Sequence, residues 1–390
     1  MPFSKNTYRI QKIAFAFLAA ALFTACSSTA SYQKNASGTA PLSDSTDQVK
    51  PIYSVYLIGD AGAASLNPRS PVLKELEKQL KRSGENSAVI FLGDNIYPHG
   101  LPPSSSPKRE RAERRLLAQL NTVKEYPGKL FFIPGNHDWN SSGRNGLPWI
   151  RRQERYVESY LERGNVFLPD SGYPGPVNIT LNSESRFGRD TFRLNLILLD
   201  TQWWLHPHEK PVQKGVDGIE QQKQKMAADL REMIDNSGDS EVIVAAHHPL
   251  VSYGRHGGKF PVYRHFLPPV LGSMYVAYRK IWGYKQDVKA YPELKEMLQR
   301  SFSDKEELIY ASGHEHSLQF IPTEGDQKRH YYLVSGSGSK SSFVKKMNDD
   351  VITHRGKGFL VIHYYREGTK KIEFWDRQGN LIAAIPIGSN

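Results

Sequence analysis

Five apolar runs of the kind that forms buried strands each end in a short motif of polar residues. The runs are YSVYLI, AVIFL, KLFFIP, EVIVAA and LIYAS, in that order along the chain. Residues just past the carboxyl ends of parallel strands lie in the crevice where open α/β sheets bind ligands. The strand ends should therefore bring oxygen and nitrogen donors to one place, and such donors suit Fe, Mn and Zn. The motifs are Gly59-Asp60-Ala61-Gly62, Gly93-Asp94-Asn95-Ile96-Tyr97, Gly135-Asn136-His137-Asp138, Val244-Ala245-Ala246-His247 and Gly313-His314-Glu315-His316.

Each motif alone is a weak signal, and the five together are a strong one. A Gly-Asp pair after a strand usually marks a turn, whereas a His-x-His pair places two imidazoles on one face of an extended segment. An explanation by chance would need a coincidence at every one of the strand ends. The pattern therefore predicts a metal site.

The order and wording of the motifs resemble the purple acid phosphatases, a branch of the calcineurin-like metallophosphoesterases, and within that branch the small tartrate-resistant type. The family pattern is GDxG, GDxxY, GNH(D/E), VxxH and GHxH, and every motif is intact here. The wider calcineurin-like group begins with Asp-x-His, but the third position here is Gly62. In the purple branch this histidine is absent and the second motif contains a tyrosine, which here is Tyr97. The resemblance runs from about Tyr53 to the C-terminus.

The resemblance implies an α/β fold, a four-layer αββα sandwich of two mixed sheets flanked by helices, with two metal ions at the strand ends. Asp94 is expected to bridge the ions, since one carboxylate can hold two cations about 3.5–4 Å apart. The first site has hard anionic donors, which suit Fe(III). The second has neutral donors apart from the bridge and suits a divalent Zn, Mn or Fe ion. The family pattern assigns Asp60, Tyr97 and His316 to the first site, and Asn136, His247 and His314 to the second.

The reaction implied by the resemblance is acid-phosphatase-like hydrolysis of a small phosphate monoester by water that the metals activate, without a phosphoenzyme. The leaving alkoxide needs a proton. His256 lies nine residues after His247, the spacing at which the tartrate-resistant type has a histidine, and His137 adjoins Asn136. We therefore expect His137 and His256 to be the catalytic pair, with Asp138 orienting His137.

Two alternatives belong to other functional classes. A phosphodiesterase or nucleotide-cleaving enzyme would use the same motifs, and turnover of nitrophenyl phosphate and bis-nitrophenyl phosphate would separate it from a monoesterase. A surface binding protein without catalysis would keep the fold but usually loses one or more ligands. No expected ligand is missing from this sequence.

The N-terminus has the features of a bacterial lipoprotein signal. Positive charges precede an apolar stretch of eleven residues, Ile13 to Phe23, which is too short to span a bilayer. The stretch leads to Cys26, the only cysteine, and acylation would remove a free thiol that has no disulfide partner. We expect a signal peptide at 1–25, a Ser/Thr/Gly-rich tether at 26–50 and one catalytic domain at 51–390. The protein would then be anchored by lipid to a membrane of the cell envelope.

Charge and periodicity complete the predicted organisation. The net charge of +11 suits anionic substrates, but the basic residues are dispersed and form no nucleic-acid-binding motif. Alternating strand and helix patterns from Tyr53 to Ile133 predict parallel pairing. Short C-terminal strands from His330 onward predict a second, largely antiparallel sheet. The segments Asn140 to Asp190 and Ser252 to Tyr291 show no regular pattern and are expected to be functional loops.

Overall fold

A computed structural model describes residues 50–183, 192–257, 287–325, 328–347, 350–366 and 368–388 of the chain. All of these residues lie in one compact unit. The predicted signal peptide, Cys26 and nearly all of the tether lie outside the described residues, as does most of the predicted loop from Ser252 to Tyr291.

The first sheet is built on three parallel strands, β1 (Tyr53–Ile58), β2 (Ser87–Phe91) and β3 (Lys129–Phe132). Three C-terminal strands extend it antiparallel from the free edge of β1. They are β11 (Gly358–Tyr364), β12 (Lys370–Asp376) and β13 (Leu381–Ile387), which gives the order β13-β12-β11-β1-β2-β3.

The strands of the second sheet are β4 (Val177–Ser183), β5 (Phe192–Leu198), β6 (Glu241–Ala246), β7 (Glu307–Ser312), β8 (Leu318–Gly325), β9 (Lys328–Ser335) and β10 (Ile352–His354). Within the described chain their order is β10-β8-β9-β7-β6-β5-β4. The centre of the sheet is parallel, from β5 through β6 and β7 to β9, and its edges are antiparallel.

Helices form between the strands where apolar residues recur at helical spacing. In the first helix Val72, Leu73, Leu76 and Leu80 are buried, as their spacing predicts. Pro71 stands at its first turn, where a proline lacks no needed hydrogen bond. The helices are α1 (Pro71–Ser83), α2 (Arg109–Val123), α3 (Gly146–Leu161), α4 (Thr201–Leu205), α5 (Gly218–Asp235) and α6 (Asp287–Phe302), and a 3₁₀ turn covers Asp170–Gly172.

The two sheets pack face to face, with helices on their outer faces. Alternate residues of β1 show the division: Val55 and Leu57 pack between the sheets beside residues of the second sheet such as Ile243, whereas Tyr56 and Ile58 pack with the helices. This arrangement confirms the predicted α/β sandwich of two mixed sheets flanked by helices. In both sheets the five motifs directly follow the carboxyl ends of parallel strands.

Two sequence predictions about elements are wrong. The C-terminal strands do not form a sheet of their own, because β9 pairs with β7 in the second sheet while β11 pairs with β1 in the first. The segment from Asn140 to Asp190 is not one loop, because it contains α3 and β4. The buried face of α3 includes the polar Gln153, which hid its amphipathic pattern.

Within the described ranges, no helix combines the length and the apolar character needed to cross a bilayer.

Candidate metal centre

Three of the predicted ligands sit in the left-handed region of backbone conformation, which non-glycine residues rarely adopt. Their φ angles are 58° for Asp60, 54° for Asp94 and 65° for His314. Neighbouring motifs hold these turns: the Asp60 amide donates to the Gly93 carbonyl over 3.0 Å, and the His314 amide donates to Asp60 Oδ2 over 2.7 Å. Strained backbone of this kind clusters at functional sites, where many surrounding contacts hold it in place.

One triangle of donor atoms joins the ends of β1, β2 and β7. The Tyr97 hydroxyl donates to Asp60 Oδ1 over 2.6 Å and lies 3.0 Å from His316 Nε2. His316 Nε2 lies 3.2 Å from Asp60 Oδ1. These are the three residues predicted to complete the first metal site.

A second triangle joins the ends of β3, β6 and β7. Asn136 Oδ1 lies 3.2 Å from His247 Nε2 and 3.1 Å from His314 Nδ1. The two imidazole nitrogens are 3.2 Å apart. These are the three residues predicted to complete the second metal site.

Asp94 joins the two triangles. Its Oδ1 lies 3.4 Å from His247 Nε2, and donor atoms of Asp60, Asp94 and His247 all fall within 4.8 Å of one another. Burial would raise the pKa of the Asp94 carboxyl, but His247, His137 and a hydrogen bond from the His137 amide lower it below its usual range. The carboxyl is therefore ionised, as a bridging ligand requires.

The donor set fits cations. His247 Nδ1 lies 2.8 Å from the Leu92 carbonyl, which can only accept a hydrogen bond, so Nδ1 carries a proton and Nε2 is the nitrogen left to bind a cation. Nε2 faces the Asn136 oxygen at 3.2 Å, an arrangement that a cation between them would satisfy. Ligands of one tetrahedral cation at about 2.0–2.1 Å lie about 3.3 Å apart, close to the spacing in both triangles.

The environment of Tyr97 and His314 also suits metal binding. Burial, Asp60 and Asp94 raise the pKa of the Tyr97 hydroxyl well above its usual value, so without a cation it stays a phenol. Burial and the surrounding histidines, His256 first among them, lower the pKa of His314 well below its usual value. A neutral imidazole is the form that binds a metal.

His137 lies beside Asp94. Its Nδ1 contacts the carbonyl of Pro98, so Nε2 is the atom that faces the centre, 3.8 Å from Asp94 Oδ2. Asp138, which the sequence suggested would orient His137, instead accepts hydrogen bonds from the Asn95 and Ile96 amides and from α3. Asp138 therefore positions the second motif, and the carbonyl of Pro98 positions His137.

His256 stands above the second triangle, with its ring centre 4.0 Å from that of His314. Its backbone amide donates to Glu315 Oε2 over 2.7 Å. Glu315 is fully buried and also accepts from the hydroxyls of Ser252 and Ser342. The middle residue of the last motif therefore fixes the segment that carries His256.

His248 is buried and lies close to the second triangle. Its Nδ1 is 2.9 Å from the hydroxyl of Thr201 at the start of α4. Nitrogens of His247, His248 and His314 fall within 4.8 Å of one another. His248 therefore packs against the second triangle from the turn that follows β6.

Sequence reasoning missed Glu315, the Asp138–Gln153 pair and Lys340. Gln153 Nε2 donates to Asp138 Oδ1 over 3.0 Å from a helix that had no recognised pattern. Lys340 follows the glycine-rich motif Ser335-Gly336-Ser337-Gly338, and its ammonium lies over the Tyr97 ring. The glycine-rich motif was the one available signal for Lys340.

Comparisons with known proteins agree with this architecture. Residues 53–318 match the family model described as calcineurin-like phosphoesterase. The fold is similar to that of GAP50, the anchor in the inner membrane complex of Plasmodium, with a TM-score of 0.52 and 16% identity over 87% of this chain and 89% of that one. A likeness at this identity shows a shared fold only. None of the curated proteins compared with the chain matches it.

Two further solved structures are similar at a lower level. Purple acid phosphatase PPD1 from yellow lupin (Lupinus luteus) seeds gives a TM-score of 0.49 and 14% identity over 86% of this chain. The matched region spans 53% of the lupin chain. PhoD gives a TM-score of 0.48 and 12% identity over 87% of this chain and 72% of that chain.

Proposed function

This chain belongs to the calcineurin-like phosphoesterase family of metal-dependent enzymes, and from that premise we propose that it hydrolyses phosphate monoesters as an acid phosphatase of the purple type. The observation that supports this choice within the family is the position of Tyr97. Its hydroxyl makes a triangle with Asp60 and His316 at distances of 2.6 and 3.0 Å. A phenol among these donors gives one metal site a hard anionic ligand that suits Fe(III).

The paired change at Gly62 has a structural reason. A Cβ atom at this position would lie 2.5 Å from both the Asp94 carbonyl and the Ile96 amide. The backbones of the first and second motifs touch here, since the Gly62 amide donates to Asp94 O and the Tyr97 amide donates to Gly62 O. The contact leaves no space for a histidine ligand at Gly62 and places Tyr97 beside Asp60 instead.

The side chains of this centre have separable tasks. Bound cations would lower the pKa of water and neutralise phosphate oxygens. Asp60, Tyr97 and His316 would hold one ion, Asn136, His247 and His314 the other, with Asp94 between them. The Leu92 carbonyl orients His247 so that Nε2 would bind one ion, and the His137 amide donates to Asp94 Oδ1. No serine or cysteine nucleophile is required.

Protonation of the leaving alkoxide is assigned to His256, with His137 as its partner. His256 is held at its backbone by Glu315, and its ring lies against His314. His137 keeps Nδ1 on the Pro98 carbonyl, so a second proton would sit on Nε2, the nitrogen beside Asp94. Each imidazole can therefore offer a proton at the edge of the centre.

The direct test is turnover of nitrophenyl phosphate and bis-nitrophenyl phosphate by the purified, metal-analysed protein. A monoesterase should have the higher kcat/KM for nitrophenyl phosphate, and Asp94→Asn should lose both metal and activity. A higher kcat/KM for the diester would refute the monoesterase proposal and favour a phosphodiesterase or nucleotide-cleaving enzyme. A fully metallated protein that cleaves neither substrate would favour a binding protein.

We also propose that the enzyme is exported and anchored through lipid on Cys26. It would then act on substrates outside the cytoplasm. Cells fed a fatty-acid analogue should label the wild-type chain and leave Cys26→Ala unlabelled. Unlabelled wild-type protein released into the periplasm would show secretion without a lipid anchor.

A further inference from the structure

A lysine occupies the edge of the metal centre, and no carboxylate of the described residues forms a salt bridge with it. Lys340 is half-buried, and its Nζ lies 3.0 Å from the centre of the Tyr97 ring. Burial lowers the pKa of the Lys340 ammonium, and the nearby charges of Asp94 and Asp60 oppose that shift. Within the described parts of the chain, its ammonium makes no salt bridge or hydrogen bond with an acidic side chain.

The loop that carries Lys340 is fixed on both sides. Before it, the Gly338 amide donates to the Gly59 carbonyl over 3.0 Å, and the Ser339 hydroxyl accepts from the Ala63 amide over 3.1 Å. After it, the Ser342 amide donates to the His316 carbonyl over 2.7 Å. These contacts tie the loop to the first and last motifs. The Lys340 backbone therefore keeps a set position relative to the first triangle.

Glycine is required for this close approach. A Cβ atom at Gly338 would lie 2.7 Å from the Gly59 carbonyl and 3.1 Å from the Ala61 side chain. The glycine-rich sequence before Lys340 thus lets the loop lie directly on the strand-end turn that holds Asp60. Backbone packing, and not a flexible surface loop, therefore places Lys340 at the metal centre.

The charge of the centre calls for an anion beside Lys340. Cations held by Asp60 and Asp94 would offset the carboxylate charges that the ammonium now faces. A fixed ammonium next to two metal ions is then unfavourable unless a negative group binds between them. A phosphate oxygen is such a group, and lysine binds phosphate as a point charge.

We propose that Lys340 binds a phosphate oxygen of the substrate and favours the dianionic phosphate of monoesters over the monoanionic phosphate of diesters. The inference rests on the proposed function and names the residue that selects the substrate class. Coulomb attraction grows in proportion to the ligand charge, so the ammonium stabilises a dianion about twice as much as a monoanion.

A purely structural role for Lys340 makes a different prediction. A cation over an aromatic ring is attracted to its face and would help to hold Tyr97 in place. Loss of that support would disturb the metal site and would lower turnover of every substrate by the same factor. Discrimination between substrates of different charge separates the two roles.

The experiment compares the metallated wild type with Lys340→Met, Lys340→Gln and Lys340→Arg. Lys345→Met is the matched control, since Lys345 lies in the same segment with an exposed side chain. The measurements are kcat and KM for nitrophenyl phosphate and bis-nitrophenyl phosphate, metal content, and the Kd for inorganic phosphate by calorimetry. Thermal melting of each variant checks that it is folded.

Loss of a charge-assisted contact should lower kcat/KM for the monoester by about 10- to 100-fold in both neutral variants. The diester should lose about 3- to 10-fold, so the preference for monoesters falls by about 3- to 10-fold. Lys340→Arg should retain most of the preference, and Lys345→Met should match the wild type. Inorganic phosphate should bind more weakly to the neutral variants at unchanged metal content.

Equal losses for the two substrates, or unchanged phosphate affinity, would overturn the proposal, as would loss of metal from the neutral variants. Failure of the proposed function has a separate signature, a wild type that does not cleave the monoester. In that case the affinity for inorganic phosphate still tests the role of Lys340. Weaker phosphate binding by the neutral variants supports Lys340 as an anion-binding residue, and unchanged binding refutes that role.

Discussion

At the scale of single residues, Tyr97 is the basis of the proposed Fe(III) site. Its hydroxyl lies between Asp60 and His316, and its ring is buried. A buried phenol with two carboxylates nearby keeps its proton until a strongly charged cation displaces it. Fe(III) is the ion in the proposed pair that does this most readily.

The purified holoprotein should therefore be coloured, and Tyr97→Phe should lose the visible absorption band while remaining folded. The band would arise from charge transfer between the Tyr97 phenolate and Fe(III). Absorption spectra with metal analysis provide the measurement. Tyr126→Phe is the matched control, because the Tyr126 hydroxyl is also buried but bonds to Ser87 away from the centre. A colourless, active and fully metallated wild type would contradict the Fe(III) assignment and indicate a di-Zn or di-Mn centre.

His256 lies beside the second triangle without belonging to it, so its role should appear in the chemistry of the leaving group. His256→Ala should lower kcat for alkyl phosphates by about 10²–10⁴-fold, because a poor leaving group needs a proton. Nitrophenyl phosphate should be affected far less, and metal content should not change. Turnover of a series of esters with graded leaving groups measures the effect.

Outcomes that depart from this pattern identify other roles for His256. An equal loss across the series would make it a phosphate-positioning residue. Loss of a metal would show that the predicted ligand set is incomplete. His330→Ala, which removes a histidine bonded to the Lys305 carbonyl, should behave as the wild type.

At the scale of elements, the turn after β7 supports the segment after β6. Glu315 lies between the ligands His314 and His316, yet its carboxylate points to the Ser252 hydroxyl and the His256 amide. It is fully buried, and a Cβ at Gly254 would collide with it. Two adjacent strand ends are thus coupled through one buried carboxylate.

Glu315→Gln should reproduce the leaving-group signature of His256→Ala in weaker form. The amide keeps the shape of the side chain but loses its charge, which weakens hydrogen bonds worth about 1.5–3 kcal/mol. We expect a fall in kcat of about tenfold for alkyl phosphates and little change for nitrophenyl phosphate. Glu373→Gln is the control for neutralising a buried glutamate, since Glu373 bonds to His363 and Lys371. A Glu315→Gln enzyme with normal turnover of alkyl phosphates would rule out the coupling.

At the scale of the whole molecule, the centre connects the two sheets. Asp60, Asp94, Tyr97 and Asn136 follow strands of the first sheet, whereas His247, His314 and His316 follow strands of the second. Each donor triangle takes members from both sheets. Metal binding should therefore hold the two layers together at this edge of the sandwich.

Removal of metal with a chelator should lower Tm. A ligand that binds only the folded state stabilises it by about 2.7 kcal/mol when its free concentration is 100 times Kd. Differential scanning calorimetry measures the shift, and adding back the metal should restore Tm. His247→Ala, which breaks the second triangle, should respond less to the chelator. An apoprotein that melts at the temperature of the holoprotein would show that the metals do not link the sheets.

Much of this centre could be predicted from the sequence because its information is local. An apolar run followed by a short polar motif fixes both a buried strand and the side chains at its end, and parallel strands bring such ends together. Asn136, His247 and His314 were placed in this way, and the structure brings their donor atoms to between 3.1 and 3.2 Å of one another. The α/β sandwich, which the family resemblance implied, was also predicted correctly.

Contacts between distant parts of the chain were decided only by the tertiary structure. Short C-terminal strands show the same alternation of apolar and polar residues whichever sheet they join. In the structure β9 pairs with β7 in the second sheet, whereas β11 pairs with β1 in the first. Glu315, Gln153 and Lys340 acquire their roles from partners that lie far from them in the sequence. Their positions depend on how the two layers pack, and side-chain spacing along one strand or helix contains no information about that packing.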